Sequence, residues 1–447
     1  MTARQSGEDA VPEVTHGRVL RIAVPMTLAF LSTPLVGLVD TIIIGRLGEV
    51  SLLGGIAVGA ILFDVIFVVF NFLRMGTTGL TAQASGRDDR TEINAILFRT
   101  LAFAIAAAAV LIVVHKPALV FGLEVMEASP GVSAAASTYF TIRILAAPFE
   151  LANYAILGWF LGLGRAGIGL ALQTLLNGVN IGFSVWFVVG LDWGVEGVAW
   201  GTFIGQAVAT VAGLALVTAI HGRSILVPWA VIFSADGFGR LLSINRDIMV
   251  RSAALIFAFG FFTVQGSRQS ELILAANAVL MNFLMIAGYF LDGFATAAEQ
   301  LVGTAIGRRS RAMVQRAVRL TVGWGIGLGG AASLVFLGLG PVFIDMITTS
   351  PEVRAAARQY LVWAALTPLA GVLAFEFDGV FIGATWGREM RNMMLVALAI
   401  GGVVWWLALP VLGNHGLWLA LHAFLLARGL TLMARYPACL ARAFPAG

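Results

Sequence analysis

The chain has 447 residues, of which 59% are hydrophobic and only 12% charged, with a mean hydropathy of +0.92. Soluble domains carry about 25% charged residues, so a soluble fold is excluded: this much apolar surface must face lipid or the inside of a helix bundle. The net charge of +4 does not call for nucleic acid, because basic residues gathered at membrane boundaries account for it.

The N-terminal stretch 1–17, MTARQSGEDAVPEVTHG, is polar and lacks the apolar core of a cleavable signal peptide. The first apolar helix is therefore expected to act as the insertion signal. A spanning helix needs about 20 mostly apolar residues, and twelve segments qualify. They are 18–45, 52–76, 93–114, 133–161, 166–190 and 194–220, then 238–266, 272–305, 313–339, 353–383, 389–411 and 416–437. The longest polar interruption, near 221–246, separates six from six. The expected organisation is a tail (1–17), a first lobe (18–220), a linker (221–237), a second lobe (238–437) and a C-terminal tail (438–447).

The two halves resemble each other at a shift of 221 residues. LLGGIAVGAILF (52–63) aligns with ILAANAVLMNFL (273–284), QASG (83–86) with TAIG (304–307), and GWFLG (158–162) with GVFIG (379–383). An even-numbered repeat keeps its orientation, so the halves are related by an axis along the membrane normal. The expected fold is all-α and polytopic, with twelve helices in two pseudo-symmetric lobes around a central cleft. With both termini in the cytoplasm, the cytoplasmic side holds 18 arginines, Arg4 among them, against 5 basic residues opposite, Arg46 among them. That bias sets the orientation. The run GRRSRAMVQR (307–316) reads as a topology anchor, with a lipid-headgroup patch as the other reading.

Enzyme motifs are missing. No P-loop is present, and GLGRAG (162–167) lies in a short loop between membrane helices with no strand before it. The five histidines are scattered outside ligand spacings. The single cysteine, Cys439, excludes an internal disulfide and any multi-cysteine metal site. No cofactor is expected. A channel would need a continuous polar pore, for which the buried acids are too sparse.

An ionisable residue at membrane depth costs at least about 2.5–3.5 kcal/mol, so each one calls for a reason. Asp40 sits in LVGLVDTIIIG (35–45), preceded by Pro25 and Pro34. Each proline removes a backbone hydrogen bond, so this helix should bend there. Low dielectric favours a neutral carboxyl, which suits Asp40 to a proton-controlled switch; the alternative is a structural carboxylate held by hydroxyls and amides. Asn177, Asn180 and Ser184 share one helix face at i, i+3, i+7, and Thr202 and Gln206 follow on the next helix. These groups either serve a carboxyl group or act as interhelical glue.

In the second half, Asp292 and Glu299 lie seven apart on one face. Glu376 and Asp378, two apart, must diverge. Arg74 is a candidate partner for one of these acids, in a coupling or substrate site or in plain ion pairs between lobes. Asp64, Arg99, Arg143, Glu150, Asp247, Arg251 and Arg428 are read as near helix ends or able to snorkel, with no role. Met26, Met75, Met281 and Met285 either line an adaptable apolar cleft or simply pack.

Taken together, LVDTIIIGRLG (38–48), LGGIAVGA (53–60), FLRMGTTGLTAQASG (72–86), FLDGFATAAEQLVGTAIG (290–307) and FDGVFIGATWGREMRN (377–392) resemble the MATE (multidrug and toxic compound extrusion) family, in its DinF-like branch. The resemblance runs in order over nearly the whole chain. It implies a secondary antiporter of the bacterial inner membrane, two lobes around a cleft, and export of amphipathic, often cationic, compounds against protons or sodium ions. It also implies that Asp40 is the proton-responsive residue, with Asn180 and Thr202 as partners. Relatives often carry an aspartate where this chain has Ser184. Asp40 is then the lone acid of its cluster, which disfavours Na⁺ and favours H⁺. Plant members of the branch export organic anions such as citrate, which keeps an anionic substrate near Arg74 open, as does the related build of lipid-precursor flippases. The expected partners are an amphipathic small molecule and membrane lipid, with no nucleic acid, and the working unit is a monomer.

Overall fold

The computed structural model describes residues 14–45, 49–225 and 227–445; Arg4, Arg46 and most of the 1–17 tail lie outside them. Among the described residues the chain is helical, with no strand. Twelve helical spans are long and apolar enough to cross a membrane. They are α1 (His16–Gly45), α2 (Ser51–Gly86), α3 (Arg90–Val125), α4 (Pro130–Gly162), α5 (Ala166–Gly190), α6 (Gly194–Ile220), α7 (Trp229–Ser267), α8 (Glu271–Gly307), α9 (Arg311–Ile347), α10 (Pro351–Gly383), α11 (Gly387–Leu412) and α12 (Asn414–Ala443). The protein is a polytopic membrane protein.

Most spans outrun the apolar windows of the sequence, because their polar ends carry capping groups. The Asp89 carboxylate accepts from Glu92 N at 2.9 Å to start α3, and the Ser270 hydroxyl accepts from Ile273 N at 3.1 Å to start α8. Ser310 and Ser350 do the same for α9 and α10, the latter with Pro351 in its first turn. Such caps satisfy amides that a helix start leaves unpaired. At the far end, α12 continues to Ala443, so the segment read as a C-terminal tail begins helical. Span α7 begins at Trp229, inside the segment read as a linker, as one short turn (Trp229–Ile232) before its main helix (Ala235–Ser267).

Three irregularities fall inside spans. A 3-10 turn, Ile144–Ala146, interrupts α4. Pro148 follows it, and its missing N–H leaves the Ile144 carbonyl without its α-helical donor. Span α2 breaks at Phe70–Asn71 with no proline; the Asn71 side chain accepts from Arg74 Nε at 3.1 Å instead. A π-turn, Trp186–Gly190, ends α5. By contrast, α1 is one unbroken helix through Pro25 and Pro34.

The two halves of the chain share one large apolar core, while each keeps a smaller one. The shared core joins Leu97 and Phe160 of the first half to Leu301 and Phe381 of the second. The smaller cores draw on one half each, around Ile44, Tyr139 and Val198, and around Phe283, Phe336 and Trp418. The halves meet most closely at the end carrying Gly86, Gly307 and Gly383. There a methyl group on Gly303 would stand 2.6 Å from the Ala82 side chain, so the backbones of α2 and α8 touch only because glycine leaves room. Hydrogen bonds gather at the same end. Gln83 Nε2 donates to Gly383 O (3.0 Å) and Thr385 Oγ1 (3.1 Å), and Arg240 donates to Gln83 Oε1 (3.1 Å). Buried Arg99 donates to Ile232 O (2.9 Å) and Val231 O (2.7 Å) and pairs with Glu92. It thus tethers the start of α7 to α3.

Candidate functional site

Two buried charged regions stand out, one in each half. In the first, α1 carries Asp40 against α5 and α6. Asp40 is 7% exposed, and its Oδ1 is buried with no hydrogen-bond partner among the described residues. Asn180, Ser184 and Thr202 surround this region and are buried. They bond one another: Asn180 Nδ2 donates to Thr202 Oγ1 (3.2 Å), and Ser184 Oγ donates to Asn180 Oδ1 (3.1 Å). Ser184 is also within reach of the Asp40 carboxyl. The expected bonds from Asn180 and Thr202 to Asp40 are therefore not formed here. Asn177 stands apart from this group. It donates to Ser32 Oγ on α1 (2.8 Å) and accepts from Gln173 (3.1 Å), which pins α1 to α5 below the carboxyl. Gln206 faces α4, where it accepts from Asn153 Nδ2 at 2.7 Å.

A cation lies within electrostatic reach of Asp40. Arg143 on α4 is within electrostatic reach of Asp40, of Asp64 on α2 and of Glu150 on α4. Its Nη1 donates to Tyr139 Oη at 2.7 Å, and its guanidinium lies 4.0 Å from the centroid of the buried Phe63 ring. Glu150 is 7% exposed, and the Tyr154 hydroxyl approaches its Oε1 at 3.5 Å.

The second region joins α7, α8, α10 and α12, with Arg74 reaching in from α2. Asp378 Oδ2 accepts from both Arg251 and Arg428. All three residues are at most 6% exposed. Arg74 Nη1 stands 3.5 Å from Glu299 Oε2, an ion pair that bridges the halves. Asp292 is within electrostatic reach of Arg74, Arg251 and Arg428. Glu376 points the other way, as its spacing from Asp378 requires. It is fully buried against Gly325 on α9, with the Thr321 hydroxyl of the same helix within reach of its carboxyl.

Several residues read as snorkelling are therefore interior. Arg251 and Arg428 sit mid-helix with apolar residues on both sides, too deep to reach a headgroup, and they find Asp378 instead. Asp247 is 4% exposed and pairs with Arg391 at 2.7 Å. Among the methionines, Met26 is fully buried packing beneath Gly169, whereas Met285 is exposed. Asp64 is exposed. Tyr289 on α8 is within electrostatic reach of both Asp64 and Asp292. Among the described residues, no group of three or more His, Cys, Asp or Glu side chains is placed to hold a metal ion.

The MatE family profile matches residues 25–186 and 248–407, one stretch in each half. The chain is 39% identical over 419 residues to DNA damage-inducible protein F of Escherichia coli (strain K12), covering 92% of this chain and 90% of that protein. It is 27% identical over 443 residues to the probable multidrug resistance protein NorM of Caulobacter vibrioides, covering 91% and 89%. Among solved structures, a MATE crystallised in a bent conformation superposes with a TM-score of 0.87 at 17% identity, over 95% of this chain and 96% of that one. A transporter of the MOP superfamily from Pyrococcus furiosus superposes with 0.85, also at 17% identity and over the same shares. At that identity the superpositions speak to the fold alone.

Proposed function

This chain belongs to the MATE family, in its DinF-like branch, whose members are transporters and not enzymes, and from that premise we propose that it exports amphipathic, cationic small molecules in exchange for protons. One observation carries the reading. Asp40 is a buried carboxyl whose Oδ1 has no partner, next to amide and hydroxyl groups that bond each other. Burying an ionised carboxylate with one oxygen unpaired is costly, whereas a neutral acid there can exchange one hydrogen bond for another. A carboxyl in that position gains from picking up and losing a proton.

In this reading the arginine bias places both termini and the closed end, with Gly86, Gly307 and Gly383, in the cytoplasm of a bacterial inner membrane. The working lobes are 18–220 and 238–437, one chain is the working unit, and the cleft opens outward. An external proton neutralises Asp40, and the acid can then donate to Asn180 or Thr202. Helix α1 moves on α5 around its two proline gaps, and the cleft changes shape. Substrate leaves, the lobes rock about the Gln83 and Arg99 contacts, and the proton is released inside. Asp64 and Asp292, one in each lobe and both within electrostatic reach of Tyr289, suit a cationic substrate. The multidrug resistance names of the NorM relatives support drug export. One charge crossing 100 mV supplies about 2.3 kcal/mol, and a pH gradient adds to it.

The test is efflux of a fluorescent organic cation from proteoliposomes holding the purified protein. The expected result is efflux driven by a pH gradient and not by a sodium gradient. Efflux driven by sodium alone would overturn the coupling, and citrate transport without dye transport would overturn the substrate class.

A further inference from the structure

Arg143 is a fixed cation inside the first lobe, and the mechanism above leaves it unused. A guanidinium keeps its charge at any physiological pH, so its placement must be stabilised by its surroundings. Here Phe63 lies beneath it at 4.0 Å and the Tyr139 hydroxyl receives Nη1 at 2.7 Å, while Nε is buried without a partner. Phe63 is fully buried and stacked on Phe67 at 4.0 Å, so this seat is rigid. Carboxylates approach from three directions: Asp40 from α1, Asp64 from α2 and Glu150 from α4. The other titratable groups nearby are Tyr139 and Tyr154, both on α4. Among the described residues Arg143 forms no ion pair with any of these acids, and Glu150 Oε2 has no partner at all. It is a cation held between aromatic rings, within reach of acids it does not touch.

We propose that Arg143 is the resident counter-cation of the Asp40 site, and that it selects the proton over sodium as the coupling ion. The inference rests on the proton-coupled reading above and deepens it. A sodium ion at Asp40 would draw oxygens from Asp40, Asn180, Ser184 and Thr202, a set with a single negative charge. With Arg143 already present, a second cation there meets like-charge repulsion in a medium that screens it poorly. A proton meets no such obstacle, because a neutral Asp40 coexists with the arginine. When Asp40 gives up its proton, Arg143 is the cation at hand to balance the new charge.

The experiment compares wild type, Asp40→Asn, Arg143→Gln and Arg143→Lys in proteoliposomes, with dye efflux measured under pH and sodium gradients and across external pH. Arg143→Gln is expected to gain sodium-driven efflux several-fold above wild type. Its half-maximal efflux should also move to higher pH by about one unit or more, as loss of a nearby positive charge predicts. Arg143→Lys, which keeps the charge, should retain the ion choice of wild type. Should Arg143→Gln not fold, Arg143→Met, similar in length and uncharged, takes its place. A folded, uncharged variant with the ion choice and pH profile of wild type would overturn the role of Arg143 and leave the proton reading intact. Sodium-driven efflux by wild type would overturn both.

Discussion

Each half of the molecule buries an aspartate five residues before the C-terminal end of its helix, and each leaves its Oδ1 without a hydrogen-bond partner among the described residues, but their surroundings differ. Asp378 takes two charge-assisted hydrogen bonds on one oxygen, from arginines on two different helices. Asp40 has only a neutral hydroxyl, that of Ser184, within reach among the described residues, Asn180 and Thr202 bond each other, and its cation is held off by an aromatic ring. A carboxylate shared by arginines from two other helices holds α7, α10 and α12 together. A carboxyl whose neighbours bond one another can change its charge without dismantling the helices around it. The contrast separates an acid that builds the fold from one that can work within it, although both are an Asp in an apolar stretch of helix when read along the chain.

The largest expected effect breaks the clamp. Asp378→Asn strands Arg251 and Arg428 in the interior, and an uncompensated buried charge typically costs about 3–5 kcal/mol. The variant should lose most of its folded yield in detergent, read by size-exclusion chromatography and thermal unfolding. Asp40→Asn should be nearly neutral in the same assays, within about 1 kcal/mol, since no charge-assisted bond is lost. Equal destabilisation by the two would erase the distinction.

A smaller effect is expected at the closed end. Gln83→Ala removes the bonds to Gly383 O and Thr385 Oγ1, worth about 1–3 kcal/mol together. It should shift the lobes toward opening at that end, read as faster labelling of a cysteine placed at Ser85. Smaller still, Asn177→Ala loses the 2.8 Å bond to Ser32, about 1 kcal/mol. Because that bond joins α1 to α5 beneath Asp40, it should alter efflux rate more than stability.

The helices were legible because lipid imposes a length and a composition on every span, and the repeat at 221 residues announced two halves. Five of the twelve spans nonetheless extend six residues or more past an apolar window, α2 by ten at its C-terminal end, because caps and polar ends carry no hydropathy signal. Asp40, Asn180, Ser184 and Thr202 were found because each is conspicuous in its own helix and the spacings put them on shared faces. What stayed hidden was pairing. Arg428 and Arg251 owe their positions to Asp378 on a third helix, and Arg143 sits on Phe63 from a different span. Partners distant in sequence leave no local trace, so these arginines read as headgroup-seeking when they are interior. Arg428, deep in FLLARGLTL, carried a usable signal: its depth rules out snorkelling.

The central claim is that Asp40 carries the coupling proton. The most direct test is efflux of an organic cation from proteoliposomes under an imposed pH gradient, wild type against Asp40→Asn, with matched protein content and folding checked by thermal unfolding. The account predicts that Asp40→Asn folds like wild type and shows efflux no faster than protein-free vesicles. Wild-type efflux by a folded Asp40→Asn would contradict it and move the search for the coupling acid to Asp292 and Glu299.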